Sequence, residues 1–353
     1  APFLVNMPMT SADGKGWISD IHVFPKNQTV SPTKTPLNGS SVSVGDVKTW
    51  KVAFNVPENM VESAQLIVSD TLDGALTYKT DSVKVYGLTE SSRARGVRTE
   101  ITDAVTESVI FDVGESTVAF EFKEEKFHEI AKYSGIEMEF DTVVGKEILE
   151  REGATVENDA DLGFTDKSGI LHLFKTPKPA KIHIGTILVK KVGGDNNPLD
   201  GAIFHLASSE DNAKKGNYLK MGAENVLVDF NEPGYDGATP WNGEPVPGQV
   251  GQVAFEGVND LDENDVPKTY WLVEEKAPAG YNKLSGPIAV TFEADKATEA
   301  NDYTMETTVK NTQGFVLPST GGMGTILFTI GGIILVGVAA TIFVAGRKKK
   351  SNE

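Results

Sequence analysis

The sequence has no cysteine. Disulfides and thiolate metal sites are therefore excluded, and an exported chain must find resistance to force and proteolysis elsewhere. Positive charge is scarce as well. With 33 Lys and Arg against 50 Asp and Glu, the formal net charge is -17, which excludes nucleic-acid binding driven by phosphate neutralisation. The five histidines, His22, His128, His172, His183 and His205, stand far apart with no HxxxH or HExxH spacing, so neither a metal nor a cofactor is expected. No clustered nucleophile, base and orienting acid suggests an enzyme. What is present is 39% hydrophobic residues, with 35 glycines and 17 prolines punctuating Val- and Thr-rich runs, the pattern of a mainly β chain. A length of 353 residues suits two domains and a tail.

One stretch lacks charge altogether. Residues 325–346, TILFTIGGIILVGVAATIFVAG, hold no charged side chain, and as a helix rising about 1.5 Å per residue they reach across a bilayer core of about 30 Å. Arg347, Lys348, Lys349 and Lys350 follow, placing that end in the cytoplasm and everything before the span outside. Just upstream stands Leu317-Pro318-Ser319-Thr320-Gly321. Pentapeptide, span and basic tail together resemble the LPxTG cell-wall sorting signal. The resemblance implies that a sortase cleaves between Thr320 and Gly321 and passes the Thr320 carbonyl to an amine. Pro318 would keep the segment extended, and Gly321 leaves room at the scissile bond.

Near the other end, Trp17-Ile18-Ser19-Asp20-Ile21-His22-Val23-Phe24-Pro25-Lys26-Asn27 resembles the WxxxVxVYPKN motif of Gram-positive sortase-assembled pilins, with Phe24 for Tyr and Ile21 for Val. By that resemblance Lys26 is the amine that receives the threonine carbonyl of the next subunit. The alternation of Ile21 and Val23 with His22 and Phe24 makes a strand, and Pro25 ends its ladder, leaving Lys26 accessible. The opening APFLVNMPMT resembles the last strand of a preceding pilin domain, so a leader and one domain are expected ahead of it.

The boundaries read from the sequence are residues 1–27, the end of that domain with the pilin motif; 28–180, a β-sandwich; 181–313, a second sandwich; and 314–353, the sorting signal. The first sandwich shows the runs VKTWKVAFNVP, AQLIVSDTL, SVIFDVG, STVAFEFK and GIEMEFDTVV, interrupted by a helical piece near residues 124–134, and TPKPA at 176–180 reads as the joint. The second resembles the B-type repeat of collagen adhesins and pilins. It carries Leu199-Asp200-Gly201-Ala202-Ile203-Phe204-His205-Leu206, similar to LxGAxFxL, and residues 270–281, YWLVEEKAPAGY, similar to YxLxETxAPxGY, with a long insertion at about 208–248. The expected fold is thus tandem immunoglobulin-like sandwiches followed by one membrane helix.

Domains of this kind resemble those that join a lysine to an asparagine through an internal isopeptide bond, promoted by a carboxylic acid. Matching by motif implies Lys191, Glu274 and Asn311 in the second domain and Lys34, Asp70 and Asn158 in the first, with Glu274 and Asp70 as the acids. Alternation alone does not separate Lys190 from Lys191, because both strand faces carry apolar residues. Asp70 continues the face of Leu66 and Val68, although an Asp just before Thr71-Leu72-Asp73-Gly74 also suits a turn start. The sequence reads as the shaft subunit of a surface pilus on the cell wall, polymerised from Thr320 to Lys26. Expected partners are pilin-specific and housekeeping sortases, further copies, minor pilins, peptidoglycan, and host matrix or mucus. The alternative is a wall-anchored adhesin that stays monomeric.

Overall fold

The computed structural model describes residues 9–10, 15, 17–18, 30–56, 60–90, 96–112, 115–314, 329–330, 332–339 and 341. At the start β1 (Met9–Thr10) pairs antiparallel with β2 (Trp17–Ile18), and two sandwiches follow.

In the first sandwich a period of two decides what turns inward. Strand β4 (Val47–Asn55) buries Lys48, Trp50, Val52 and Phe54, and β11 (Gly135–Val144) buries Met138, Phe140, Thr142 and Val144. These two pair with each other, and β3 (Thr33–Pro36), β7 (Lys84–Leu88) and β8 (Thr99–Glu100) extend them into a sheet of order β3–β4–β11–β7–β8. The facing sheet contains β5 (Ser63–Leu72), β9 (Val105–Asp112), β10 (Glu115–Phe122), β13 (Asp161–Asp166) and β14 (Leu171–Lys175), in the order β14–β13–β5–β10–β9. The expected helical piece is shorter than its pattern: a 3-10 turn, Glu124–Lys126, then one α-turn, Phe127–Ile130, whose Phe127 and Ile130 enter the core.

The joint between the sandwiches differs from the one read at TPKPA. Strand β15 (Ala180–His183), expected to open the second domain, pairs with β12 (Thr155–Asn158), and Ala180, Ile182 and Ile184 belong to the first core. Apolar alternation through KIHIG continues without a break, so the change of core falls at Ile184 and Gly185, where no turn signal marks it.

The second sandwich opposes one sheet of β16 (Gly185–Val192), β21 (Glu244–Pro245), β22 (Gln252–Val258) and β25 (Thr304–Lys310) to another of β17 (Ile203–Ala207), β23 (Thr269–Lys276) and β24 (Ile288–Thr291). Their orders are β21–β22–β16–β25 and β17–β23–β24, and β16 runs parallel to β25, joining the first and last strands of the domain. The insertion builds a helix, Glu210–Lys215, and a small sheet that packs toward the first sandwich, where Glu224 pairs with Lys146 at 3.0 Å. Of the apolar stretch at 325–346, residues 329–330, 332–339 and 341 are helical, with Ile333, Ile334, Leu335, Val336 and Val338 exposed. Among the described residues no helix is long and apolar enough to cross a membrane, and the rest of the expected span lies outside them.

The insertion also presses on the first sandwich at Gly45, which has φ +94° and where a Cβ would lie 2.5 Å from Val226 Cγ1. Both the left-handed backbone and the close approach require glycine there. Gly45→Ala is therefore expected to lower stability by about 1 to 3 kcal/mol, measured by thermal unfolding; an unchanged midpoint would show that the two sandwiches do not press together at this point.

Candidate functional site

Each sandwich places a lysine, an acid and an asparagine at one point of its core. In the first, Lys34 comes from the edge strand β3 of one sheet and Asp70 from β5, the middle strand of the other. Asn158 ends β12, whose partner β15 packs beside β3. Lys34 and Asp70 have fully buried side chains and are in direct contact as an ion pair, and Lys34 Nζ also donates to the carbonyl of Asp159 at 3.0 Å. The Trp50 and Phe140 rings wall the amine, their centroids 5.1 and 5.3 Å from Nζ. Trp50 is itself fixed by its indole N–H donating to Thr142 Oγ1 at 2.9 Å. Asp70 points inward with Leu66 and Val68, and the turn role that competed for it falls to Asp73, which accepts from the Ala75 N–H at 2.7 Å.

In the second sandwich Lys191 lies on β16, Glu274 on the middle strand β23 of the facing sheet, and Asn311 just past β25. Lys191 Nζ is 3.9 Å from Glu274 Oε1 and donates to the carbonyls of Val309 at 3.1 Å and Val192 at 3.4 Å. Asn311 Nδ2 donates to Glu274 Oε1 at 2.7 Å, while the Leu284 N–H holds Oε2 at 2.8 Å. Lys190, one residue away on the opposite face, reaches outward and pairs with Glu306 at 2.6 Å. The face turned inward is that of Ile187, Val189 and Lys191, all essentially inaccessible.

These surroundings act against charge. Burial pushes Lys34 down to about 8 although Asp70 pulls the other way, and it pushes Asp70 up to about 6 against Lys34. Burial likewise lowers Lys191, opposed by Glu274. Hydrogen bonding does not make good the loss. Among the described residues, four of the five buried side-chain polar atoms without a hydrogen-bond partner belong to these two clusters: Asp70 Oδ1, Asn158 Nδ2, Asn158 Oδ1 and Asn311 Oδ1. Asn158 is near enough to Asp70 to offset part of its rise without making an aligned bond. Each such atom costs about 1 to 3 kcal/mol, and folded proteins seldom tolerate one without a reason.

Sequence reasoning missed the supporting groups. The aromatic wall is foreshadowed only by the large residues alternating along β4 and β11. Leu284, whose N–H anchors Glu274, sits in a loop with no pattern to mark it. Lys26 and Leu317, Pro318, Ser319, Thr320 and Gly321 lie outside the described residues.

Three family models match the chain: the N-terminal D1 domain of a Gram-positive pilin subunit over residues 1–28, a SpaA prealbumin-like fold domain over 185–307, and an LPXTG cell wall anchor motif over 309–353. The type 1 fimbrial subunit of Actinomyces viscosus is 26% identical, the similarity covering 98% of this chain and 70% of that protein. The type 2 fimbrial subunit of Actinomyces naeslundii is 25% identical, over 99% and 67%. In fold the chain is similar to the full-length major pilin SpaD of Corynebacterium diphtheriae, with a TM-score of 0.59 and 21% identity over 89% of this chain and 75% of that one. The major pilin SpaA of the same organism gives 0.55 and 22% over 88% and 76%.

Proposed function

We propose that this chain is the repeating backbone subunit of a surface pilus of Gram-positive type, each copy joined by a sortase through its Thr320 carbonyl to Lys26 of the next, and the finished fibre attached to the cell wall. The observation that carries the reading is the pairing of a pilin-domain match at one end with an LPXTG anchor match at the other, on a chain similar along its whole length to fimbrial subunits. A monomeric adhesin is not favoured by these relatives. Sortases and other pilin subunits are the partners that follow; minor pilins and a host matrix or mucus ligand belong to the same proposal. The role is structural, without turnover.

Within each subunit we assign the buried clusters to single-turnover isopeptide formation, from Lys34 to Asn158 and from Lys191 to Asn311. The lysine ammonium gives a proton to the acid, becoming a neutral amine while the carboxyl becomes uncharged, which burial favours. The amine adds to the Asn Cγ, the acid polarises Oδ1, the carboxamide nitrogen takes up a proton, and ammonia leaves as the C–N bond forms. Holding the groups in contact supplies the effective concentration that an unactivated amide needs. In the second domain Asn311 Nδ2 already faces Glu274, the arrangement for departure, and half a turn of the carboxamide brings Oδ1 there for addition. The bond removes the lysine charge and expels the amide nitrogen, which in the first domain has no hydrogen-bond partner. Each loop it closes exceeds a hundred residues, so the chain-entropy gain is about 4 to 5 kcal/mol.

Two outcomes are expected. With Lys34 lowered to about 8 and Asp70 raised to about 6, the pair holds a single shared proton between those values. Below about 6 a second proton blocks the amine, and above about 8 the acid is lost. Bond formation on refolding should therefore be fastest between them and fall on both sides, followed as ammonia loss in the peptides bearing Lys34 and Asn158; a rate climbing steadily to pH 10 would assign the proton elsewhere. For assembly, Lys26→Ala should abolish the high-mass ladder on denaturing gels and leave single wall-linked chains, whereas an intact ladder would remove Lys26 from the linkage.

A further inference from the structure

A third lysine, acid and asparagine meet where the two sandwiches touch, outside both clusters described above. Asn259 follows β22, and Lys268 directly precedes β23; the chain between them folds back so that the Lys268 N–H donates to the Asp260 carbonyl at 2.8 Å. Their side chains lie together, with Lys268 Nζ 3.5 Å from Asn259 Oδ1. From the first sandwich Asp46 Oδ2 accepts from Asn259 Nδ2 at 3.1 Å, and Ser43 Oγ donates to Asn259 Oδ1 at 2.6 Å. The Ser43 N–H orients Asp46 at 2.7 Å, and the Tyr270 ring lies 5.3 Å from Lys268 Nζ. A hydroxyl thus sits on the amide oxygen, a carboxyl on the amide nitrogen, and an amine beside the carbonyl.

We propose that Lys268 and Asn259 are the site of a further intramolecular isopeptide bond, promoted by Asp46 and Ser43 across the domain joint. Lys268 passes a proton to Asp46 and its free amine adds to Asn259 Cγ, while the Ser43 hydroxyl stabilises the negative oxygen. Nδ2 collects the proton from Asp46 and leaves as ammonia; one C–N bond forms and one breaks, with no other reactant. Burial favours the transfer, raising Asp46 and lowering Lys268, although Asp46, Asp229, Asp262 and Glu232 pull the lysine back toward its charged form. The promoting groups belong to one sandwich and the reacting groups to the other, so the bond closes only after the domains dock. It then locks the turn that carries the interface residue Asp260, which holds His183 at 2.9 Å.

The proposal rests on the same chemistry as the two core clusters, and a peptide map of the full chain reads all three separately. Between Lys220 and Lys276 the only basic residue is Lys268. Trypsin should therefore fail at Lys268 and release residues 221–276 as one peptide short by about 17 Da, the ammonia lost in the condensation. Loss of ammonia from Asn259 alone would leave Lys268 cleavable. Asp46→Asn and Lys268→Arg should each restore the full mass, while the peptides bearing Lys34 with Asn158 and Lys191 with Asn311 stay linked, showing that the variants fold. Peptides 221–268 and 269–276 at full mass, with the other two links present, would overturn this proposal alone. All three unlinked would overturn the cross-linking reading as a whole.

Discussion

A lysine ammonium taken out of water is the constraint on which both sandwiches turn. In water the charge is well solvated; in these cores each lysine has one carboxyl near it, backbone carbonyls, and otherwise apolar walls. Desolvation exceeds what those contacts return, as the lowered lysines and the raised Asp70 express. A buried ion pair with unpartnered amide atoms beside it is a poor resting state, and an amide bond with an expelled ammonia is a neutral one. The same arrangement recurs because the same layers recur. In each, the acid rides on the middle strand of one sheet and the lysine comes from the sheet opposite, Lys34 on its edge strand and Lys191 on the strand paired with the last one, while Asn158 ends β12 and Asn311 follows β25.

That placement links the chemistry to a fibre. In the proposed fibre, tension entering near residue 26 and leaving near residue 320 would reach Lys34 and Asn311 on its way through the two sandwiches. The proposed covalent ties from Lys34 to Asn158 and from Lys191 to Asn311 would carry it past most of each sandwich instead of through ladder hydrogen bonds. Disulfides serve the same purpose in many exported proteins, and for a chain without cysteine the proposed links would take their place. The joint adds polar fixings of its own. His183 at the end of the first sandwich stacks on Tyr303 of the second, ring centroids 3.7 Å apart, and meets Asp260, which also binds Ser41.

Much of this was legible in the sequence, and unevenly so. The strand GIEMEFDTVV spans the same ten residues as β11, because unbroken alternation leaves it one register. Motif resemblance named both lysine, acid and asparagine sets that the fold gathers. Periodicity alone was insufficient: β16 has apolar residues on both faces, and only the facing sheet decides that Lys191 turns in while Lys190 meets Glu306 outside. The joint was misplaced since a strand that finishes one core and a strand that opens the next run on with a single intervening residue. The cluster at Asp46, Asn259 and Lys268 had no local mark, because Asp46 lies more than two hundred residues from the other two and meets them only through domain docking.

The measurement that bears most directly on this account is the fate of the two acids. In peptides from the folded chain, Lys34 should be found joined to Asn158 and Lys191 to Asn311, each pair short of one ammonia; Asp70→Ala should abolish the first link alone and Glu274→Ala the second alone. Unjoined peptides at full mass from native protein, or links that persist without the acids, would contradict it.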